Sequence, residues 1–300
     1  MRIVSLLPSA TEILFAVGAG DDVVGVSFEC DFPPQARFRR IVSTSALSGA
    51  STGASTPGQI DSEVSARLAA GEDLYHLDEG ALRDLDPDLI VTQDLCAVCA
   101  VDVGHVDAAL EHLGCRGQVL TVDPQTLDDV IDSVLGVGSA TGHLQAAEEL
   151  VAALRGRLGA LAQTVGKRPR PRVAVLEWTD PPFSAGHWVP DMVAAAGGTS
   201  VLGVSGCRSQ RTTWADVTAA SAEIVVVAPC GYGLVAAGEQ ARAVVAAGHL
   251  RPGAPVWAVD ADAAFVRPGP RLVDGVEALA AILHPDVVAP RPDLAALIST

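Results

Sequence analysis

The chain writes one pattern twice, and that doubling limits what it can fold into. Its first half runs RIVSLL (Arg2 to Leu7), VVGVS (Val23 to Ser27), DPDLIVTQDLC (Asp86 to Cys96) and QVLTVD (Gln118 to Asp123). Its second half runs RVAVLEW (Arg172 to Trp178), TSVLGVS (Thr199 to Ser205), SAEIVVVAPCG (Ser221 to Gly231) and PVWAVDAD (Pro255 to Asp262). Short apolar runs alternating with helical stretches predict parallel sheets covered by helices. The expected fold is α/β, with two Rossmann-like lobes joined by a long backbone helix and a ligand cleft between them. The boundaries fall at 1–140 for the first lobe, 141–166 for the helix and 167–300 for the second lobe. In open α/β sheets, ligands bind off the carboxyl ends of the strands. The Cys, Gln, Trp and Tyr residues collect there.

The 300 residues suffice for two lobes of ordinary size, and 49% hydrophobic content suffices for their cores. Twenty Lys and Arg against 36 Asp and Glu leave a net charge of −16. Such a surface argues against nucleic acid, which needs basic patches to displace counterions. No run is long and apolar enough to be inserted in a membrane. Met1 to Gly20 has the outline of a signal peptide, but Pro8 and Glu12 interrupt its apolar run. Ser9-Ala-Thr-Glu12 reads as a capping box opening a helix. The segment is therefore expected to be strand, turn and helix, and the protein cytoplasmic. Six cysteines in that compartment are expected to be thiols or ligands, not disulfides.

Ser48 to Gly58 is low in complexity and predicts a mobile loop. From Thr141 to Val165 the chain has helical periodicity without Pro, and Gly166-Lys-Arg-Pro-Arg-Pro171 stops it.

Four places carry chemistry. Gln93, Cys96 and Cys99 directly follow the strand LIVT. The two thiols suit a shared metal, with Cys30 as a third ligand, or a redox pair, or two small buried side chains. Glu177-Trp178 through His187-Trp188 sets two indoles and an imidazole between a strand and a helix. That suits a flat ligand or a metal complex, with His187 as a metal ligand; the alternative is Trp188 in the core and His187 on the surface. Cys230-Gly-Tyr232-Gly is the second-half counterpart of the Gln93 loop. Phe265 and Arg267 follow the last strand, where Arg267 either holds a ligand anion or braces its own loop. There is no G-x-S-x-G elbow, P-loop or dinucleotide fingerprint, and the seven His form no metal-binding pair. Nothing demands hydrolysis or hydride transfer.

Further residues carry a resemblance. Leu7-Pro-Ser-Ala-Thr-Glu12, Val24-Gly-Val-Ser27, Cys30-Asp-Phe-Pro-Pro-Gln-Ala36, Pro181-Pro-Phe-Ser-Ala-Gly186, Ala196-Gly-Gly198 and Asp260 to Arg271 resemble turns of the helical-backbone (class III) solute-binding proteins. The similarity is greatest to their vitamin B12-binding branch, and it spans nearly the whole chain. It implies a metal tetrapyrrole such as cobalamin held between the lobes, with Phe32, Trp188 and Phe265 as aromatic contacts. It also implies delivery to an ABC transporter through an acid on each lobe. Here Ala194 stands where the second acid is expected, and no export signal is read, which count against transporter docking. Cys96 and Cys99 replace an aromatic and glycines, and the Ser48 to Gly58 insertion replaces another aromatic contact.

The expected function is that of a cytoplasmic protein binding cobalamin or a related corrinoid, a small-molecule metal complex. The ligand-binding residues would be Phe32, Gln93, Cys96, Cys99, Trp178, His187, Trp188, Tyr232, Phe265 and Arg267. One alternative is direct zinc or copper binding through Cys96, Cys99 and His187. Another is a thiol-dependent enzyme on the same scaffold, with Cys96 as nucleophile.

Overall fold

A computed structural model describes residues 1–47, 55–93, 117–251 and 253–299. The chain divides into two compact units, 1–124 with 132–152, and 125–131 with 153–300.

The first unit holds a six-stranded sheet built from β1 (Ile3–Ser5), β2 (Val23–Ser27), β3 (Arg40–Ser45), β4 (Tyr75–Leu77), β5 (Leu89–Thr92) and β6 (Gln118–Thr121). Its order is β4-β3-β2-β1-β5-β6, parallel except where β4 pairs antiparallel with β3. The central strands are apolar along their length because helices cover both faces of a parallel sheet. Ile3, Val4 and Ile90 are accordingly fully buried. Gly25 lies in β2 because a side chain there would meet Leu85, Val42 and Val4.

The second unit holds β7 (Arg172–Thr179), β8 (Pro182–Ser184), β9 (Thr199–Ser200), β10 (Gln210–Arg211), β11 (Ile224–Val227), β12 (Val256–Val259) and β13 (Ala295–Ser299). The order is β10-β8-β7-β11-β12-β13, with β9 also paired to β7. β9, β7, β11 and β12 are mutually parallel, whereas β8, β10 and β13 pair antiparallel.

The doubling in the sequence is thus a doubling of topology. The parallel core reads β2-β1-β5-β6 in one sheet and β9-β7-β11-β12 in the other. Local expectations need correction. Thr199 to Ser205 is strand only at Thr199–Ser200. Gly203 then turns with φ +80°, its backbone pressed against the Ala185 carbonyl where no side chain fits. Helix α1 (Pro8–Ala16) begins one residue before Ser9, with Leu7 at the N-cap and no side-chain cap. Pro8 fits the first helical position, where its fixed φ suits the helix and a missing N–H costs nothing. Ser9 is buried inside the helix, and Glu12 is buried beside it.

Helix α2 (Pro57–Ala70) opens within the stretch expected to be a loop. Thr56 caps it, and Gln59 reaches back to complete a capping box. Residues 48–54 of that stretch lie outside the described residues. Helix α3 (Glu79–Leu85) follows β4 and is capped by Asp78.

Helices α4 (Leu127–Thr141) and α5 (Leu144–Val165) run through the middle of the chain. Gly142, at φ +76°, separates them. The contact boundary between the units falls inside α5, after Ala152. No described helix is long and apolar enough to cross a membrane.

The remaining α-helices among the described residues are α6 (Val189–Ala195), α7 (Trp214–Ala219), α8 (Leu234–Ala246), α9 (Ala261–Ala264) and α10 (Leu272–Leu283). Within the second unit, α5 is tied to α10 through charge. The Arg157 guanidinium donates to Asp274 at 2.6 Å and to Glu277 at 2.7 and 2.9 Å. Arg291 lies 3.5 Å from Glu277 and 3.9 Å from Asp274. These groups are partly exposed, so solvent screens each pair. Arg157→Ala is expected to cost about 1 kcal/mol, since bidentate geometry and a network raise an otherwise small term. Thermal unfolding should shift down by about 2–4 °C. An unchanged midpoint would show that the network contributes nothing.

Candidate functional site

In the second unit, the chemistry-bearing residues gather at the carboxyl ends of β7 and β11, where α/β sheets place their ligands. β7 ends in Glu177, Trp178 and Thr179. After β11, Pro229, Cys230, Gly231 and Tyr232 turn into α8. Gly231 takes φ +78° in that turn.

Glu177 pins the two loops together. Its carbonyl accepts the Cys230 N–H at 3.1 Å. Its carboxylate accepts the Ser209 hydroxyl at 2.6 Å, and Ser209 Oγ in turn accepts the Gly186 N–H at 3.2 Å. Gly186 has no room for a side chain, because the backbone of Cys207, Arg208 and Ser209 crosses directly over it. Residues 203–209 therefore form a strap lying against 185–187. Two further bonds hold it there. The His187 N–H donates to the Cys207 carbonyl at 2.6 Å, and the Gly206 N–H donates to the His187 carbonyl at 3.0 Å.

Burial raises the Glu177 pKa above its ordinary 4.5, against the lowering by the Ser209 and Gly186 bonds. A carboxyl whose folded pKa is raised keeps its proton when the unfolded chain has lost it. Stability falls as pH rises from the unfolded pKa through the folded one. Glu177→Gln removes that charge and keeps an acceptor for Ser209. The variant is expected to match the wild type near pH 4 and to exceed its stability increasingly as pH rises toward neutrality. Urea titrations at a series of pH values check this; parallel stability curves would contradict it.

Trp178 and Tyr232 form a ring pair across this pin, with centroids 5.8 Å apart at 57°. Both are only partly buried. The Trp178 indole donates to the Asp180 carbonyl at 3.1 Å, which fixes the ring. Burial raises the Tyr232 pKa above 10, and the neighbouring Cys230 adds to the shift. The phenol is thus neutral under ordinary conditions. The pair presents two partly exposed, mutually tilted ring faces with a polar rim, hereafter the platform, the kind of apolar surface that lines ligand sites.

His187, held by the strap on both sides of its backbone, takes φ +48°, a conformation rare for a residue with a β-carbon. Its Nε2 is shielded from solvent and has no hydrogen-bond partner. Burial, and then the positive charge of Arg208, hold the imidazole pKa below 6.5.

Three expected ligand contacts are placed otherwise. Phe265 is 0% exposed and Trp188 5% exposed. The Trp188 indole N–H donates to the Phe265 carbonyl at 2.7 Å. These rings fill the core of the second unit, and neither has a face left for a ligand. The Arg267 side chain is also mostly buried and donates to Asp262 at 2.8 Å. Arg267 braces its own loop.

In the first unit, Phe32 is exposed and lines a recess of about 490 Å³ with Glu12, Phe15, Gly18, Asp21 and Gln35. Gln93 follows β5 and is buried. Cys96 and Cys99 lie outside the described residues. Cys30 is buried among hydroxyls, with Thr11 Oγ1 at 3.0 Å and Ser27 Oγ at 3.2 Å from its sulfur. No group of three or more His, Cys, Asp or Glu that could hold a metal ion occurs among the described residues. Zinc and copper thus find no support there. Ser209 was not legible as a site residue, because its bond to Glu177 spans 32 positions and no motif links them.

A family model described as periplasmic binding protein matches residues 3–246. The chain belongs to the periplasmic binding protein family. An uncharacterized ABC transporter substrate-binding lipoprotein of Bacillus subtilis is 27% identical over 95% of this chain and 80% of its own length. A vitamin B12-binding protein of Vibrio cholerae is 24% identical over 92% of this chain and 86% of its own. Among solved structures, the periplasmic vitamin B12-binding protein of Vibrio cholerae superposes with TM-score 0.67 at 22% identity, covering 94% of this chain and 96% of that one. A periplasmic heme-binding protein of Pseudomonas aeruginosa superposes with TM-score 0.73 at 20% identity, covering 100% and 98%. The two mostly parallel sheets are those of the class III periplasmic binding protein fold.

Proposed function

We propose that this periplasmic binding protein holds a metal tetrapyrrole of the cobalamin class and hands it to an ABC transporter. The observation that carries the ligand class is the Trp178–Tyr232 platform at the carboxyl ends of β7 and β11. Two partly exposed rings, the indole fixed by its bond to Asp180, offer apolar area to the guest at small entropic cost. Each 100 Å² removed from water contributes about 2.5 kcal/mol. The relatives named for vitamin B12 support that class. Heme is a second reading, favoured by structural neighbours named for it.

The transporter partner rests on the relative named as an ABC transporter substrate-binding lipoprotein. It stands against the expectation drawn from Ala194, whose place in α6 carries no acid. Fractionation of the producing cells separates two homes for the chain. Delivery to an importer requires it on the outer side of the membrane, whereas the carrier expected from the sequence stays in the cytoplasm.

The ligand is tested by adding hydroxocobalamin or hemin to the full chain and following the visible bands. A saturable change at one ligand per chain with either compound is the expected result. Unchanged bands with both, at protein in excess, would remove the proposal.

A further inference from the structure

Resting on the proposed tetrapyrrole guest, we infer that His187 is the residue that ligates its metal, through Nε2. Four observations converge on that atom. First, Nε2 has no hydrogen-bond partner although it is shielded from solvent. Buried polar atoms are nearly always satisfied, and an exception calls for an explanation. Second, the residue is held at φ +48°. Strain of this kind in a residue with a β-carbon persists only where surrounding structure imposes it, and it collects at ligand clamps. Third, the imposing structure is present: His187 is bonded on both backbone sides to the strap, at Cys207 and at Gly206. The ring is thus aimed by the backbone and does not depend on rotamer choice alone. Fourth, Glu177 fixes the same strap through Ser209 and fixes the Cys230 loop through its own carbonyl, so imidazole and platform belong to one pinned assembly.

The chemistry fits the atom. Neutral imidazole is the commonest protein ligand for a transition metal. Burial and the Arg208 charge favour that neutral form. A Lys or Arg there would repel a metal centre, and a Ser or Asn would be a weak donor. Gly203 at φ +80° and Gly206 at φ +72° let the strap turn back onto the His187 backbone. With an aquated cobalt centre, the Nε2 lone pair forms the bond to cobalt and the axial water leaves as water. No electron changes hands, and Nδ1 carries the ring proton.

The test uses two cobalamins. Hydroxocobalamin has an axial position that imidazole can take, whereas in dicyanocobalamin both axial positions are held by cyanide. The variant is His187→Gly, because glycine adopts positive φ without strain and the backbone bonds of residue 187 remain available. Thermal unfolding confirms that it is folded. The wild type should shift the visible band of hydroxocobalamin. His187→Gly should lose the shift and bind hydroxocobalamin at least tenfold more weakly, while dicyanocobalamin binds both proteins alike. If His187→Gly gives the wild-type shift and affinity, the assignment falls and the proposed function stands. If the wild type binds neither cobalamin, both fall for that ligand. A shift lost in His187→Gly together with an equal loss of dicyanocobalamin affinity would also overturn the assignment, because His187 would then be shaping the site without reaching the metal.

Discussion

Phe265→Ala is expected to cost about 3–5 kcal/mol of stability, the range for deleting a large buried ring from a well-packed core. The ring is 0% exposed, and its backbone carbonyl takes the Trp188 indole N–H at 2.7 Å. A loss of this size is a substantial share of the stability of an ordinary domain. The measurement is urea unfolding of the full chain, read in the transition to which the second unit contributes. Any fall in ligand affinity should track the fraction of chain that is unfolded and vanish once that fraction is corrected for. The same holds for Trp188→Ala, with the added loss of a buried hydrogen bond. A Phe265→Ala chain with wild-type stability and weakened binding would return the ring to the ligand wall that its position after β12 first suggested.

The opposite signature is expected for Trp178→Ala combined with Tyr232→Ala. Both rings are only partly buried, so folding uses only a portion of their apolar area. A bound tetrapyrrole would cover the remainder. With roughly 50 Å² left on each ring, burial on binding contributes about 1.3 kcal/mol per ring before the costs of association. A net loss of about 1.4 kcal/mol corresponds to about tenfold in affinity. Stability should change by no more than about 1 kcal/mol, as for residues near the surface. Spectral titration of the double variant with hydroxocobalamin or hemin reads the affinity, and urea unfolding reads the stability. Wild-type affinity in the double variant would remove the platform from the site.

The contrast between these two ring pairs shows where a sequence stops being legible. The parallel strands were readable because helix-covered strands must be apolar throughout, and IVS, LIVT, VAVL and IVVV have no other economical use in a chain of this composition. Their doubling carried over into the matched orders β2-β1-β5-β6 and β9-β7-β11-β12. The edges were not readable. β10 is two residues, Gln210–Arg211, and β8 is three, too short for any period to emerge.

Orientation was harder still. Trp178 lies at the end of β7 and Trp188 just before α6, and nothing in their residue type separates them. Trp178 is held at the surface by a bond to Asp180, whereas Trp188 is drawn inward by a carbonyl 77 positions away. Arg267 likewise has Asp262 five residues upstream, and only the short turn of α9 brings the two together. The Ser9 cap failed for a local reason, since Pro8 satisfies the helix start and leaves Ser9 inside. Glu177 was visible as an acid in a rich segment, but its role as a pin depends on Ser209 and Cys230, which sequence distance concealed.

The central claim is that a flat metal complex is the cargo. Equilibrium dialysis of the full wild-type chain against hydroxocobalamin, and separately against hemin, tests it most directly. Retention of one molecule per chain, with a dissociation constant of about 1 µM or tighter for at least one of the two, is the result predicted, corresponding to about 8 kcal/mol of binding free energy. Equal concentrations on both sides of the membrane for both compounds, at protein near 100 µM (about 100 times the predicted constant), would contradict it.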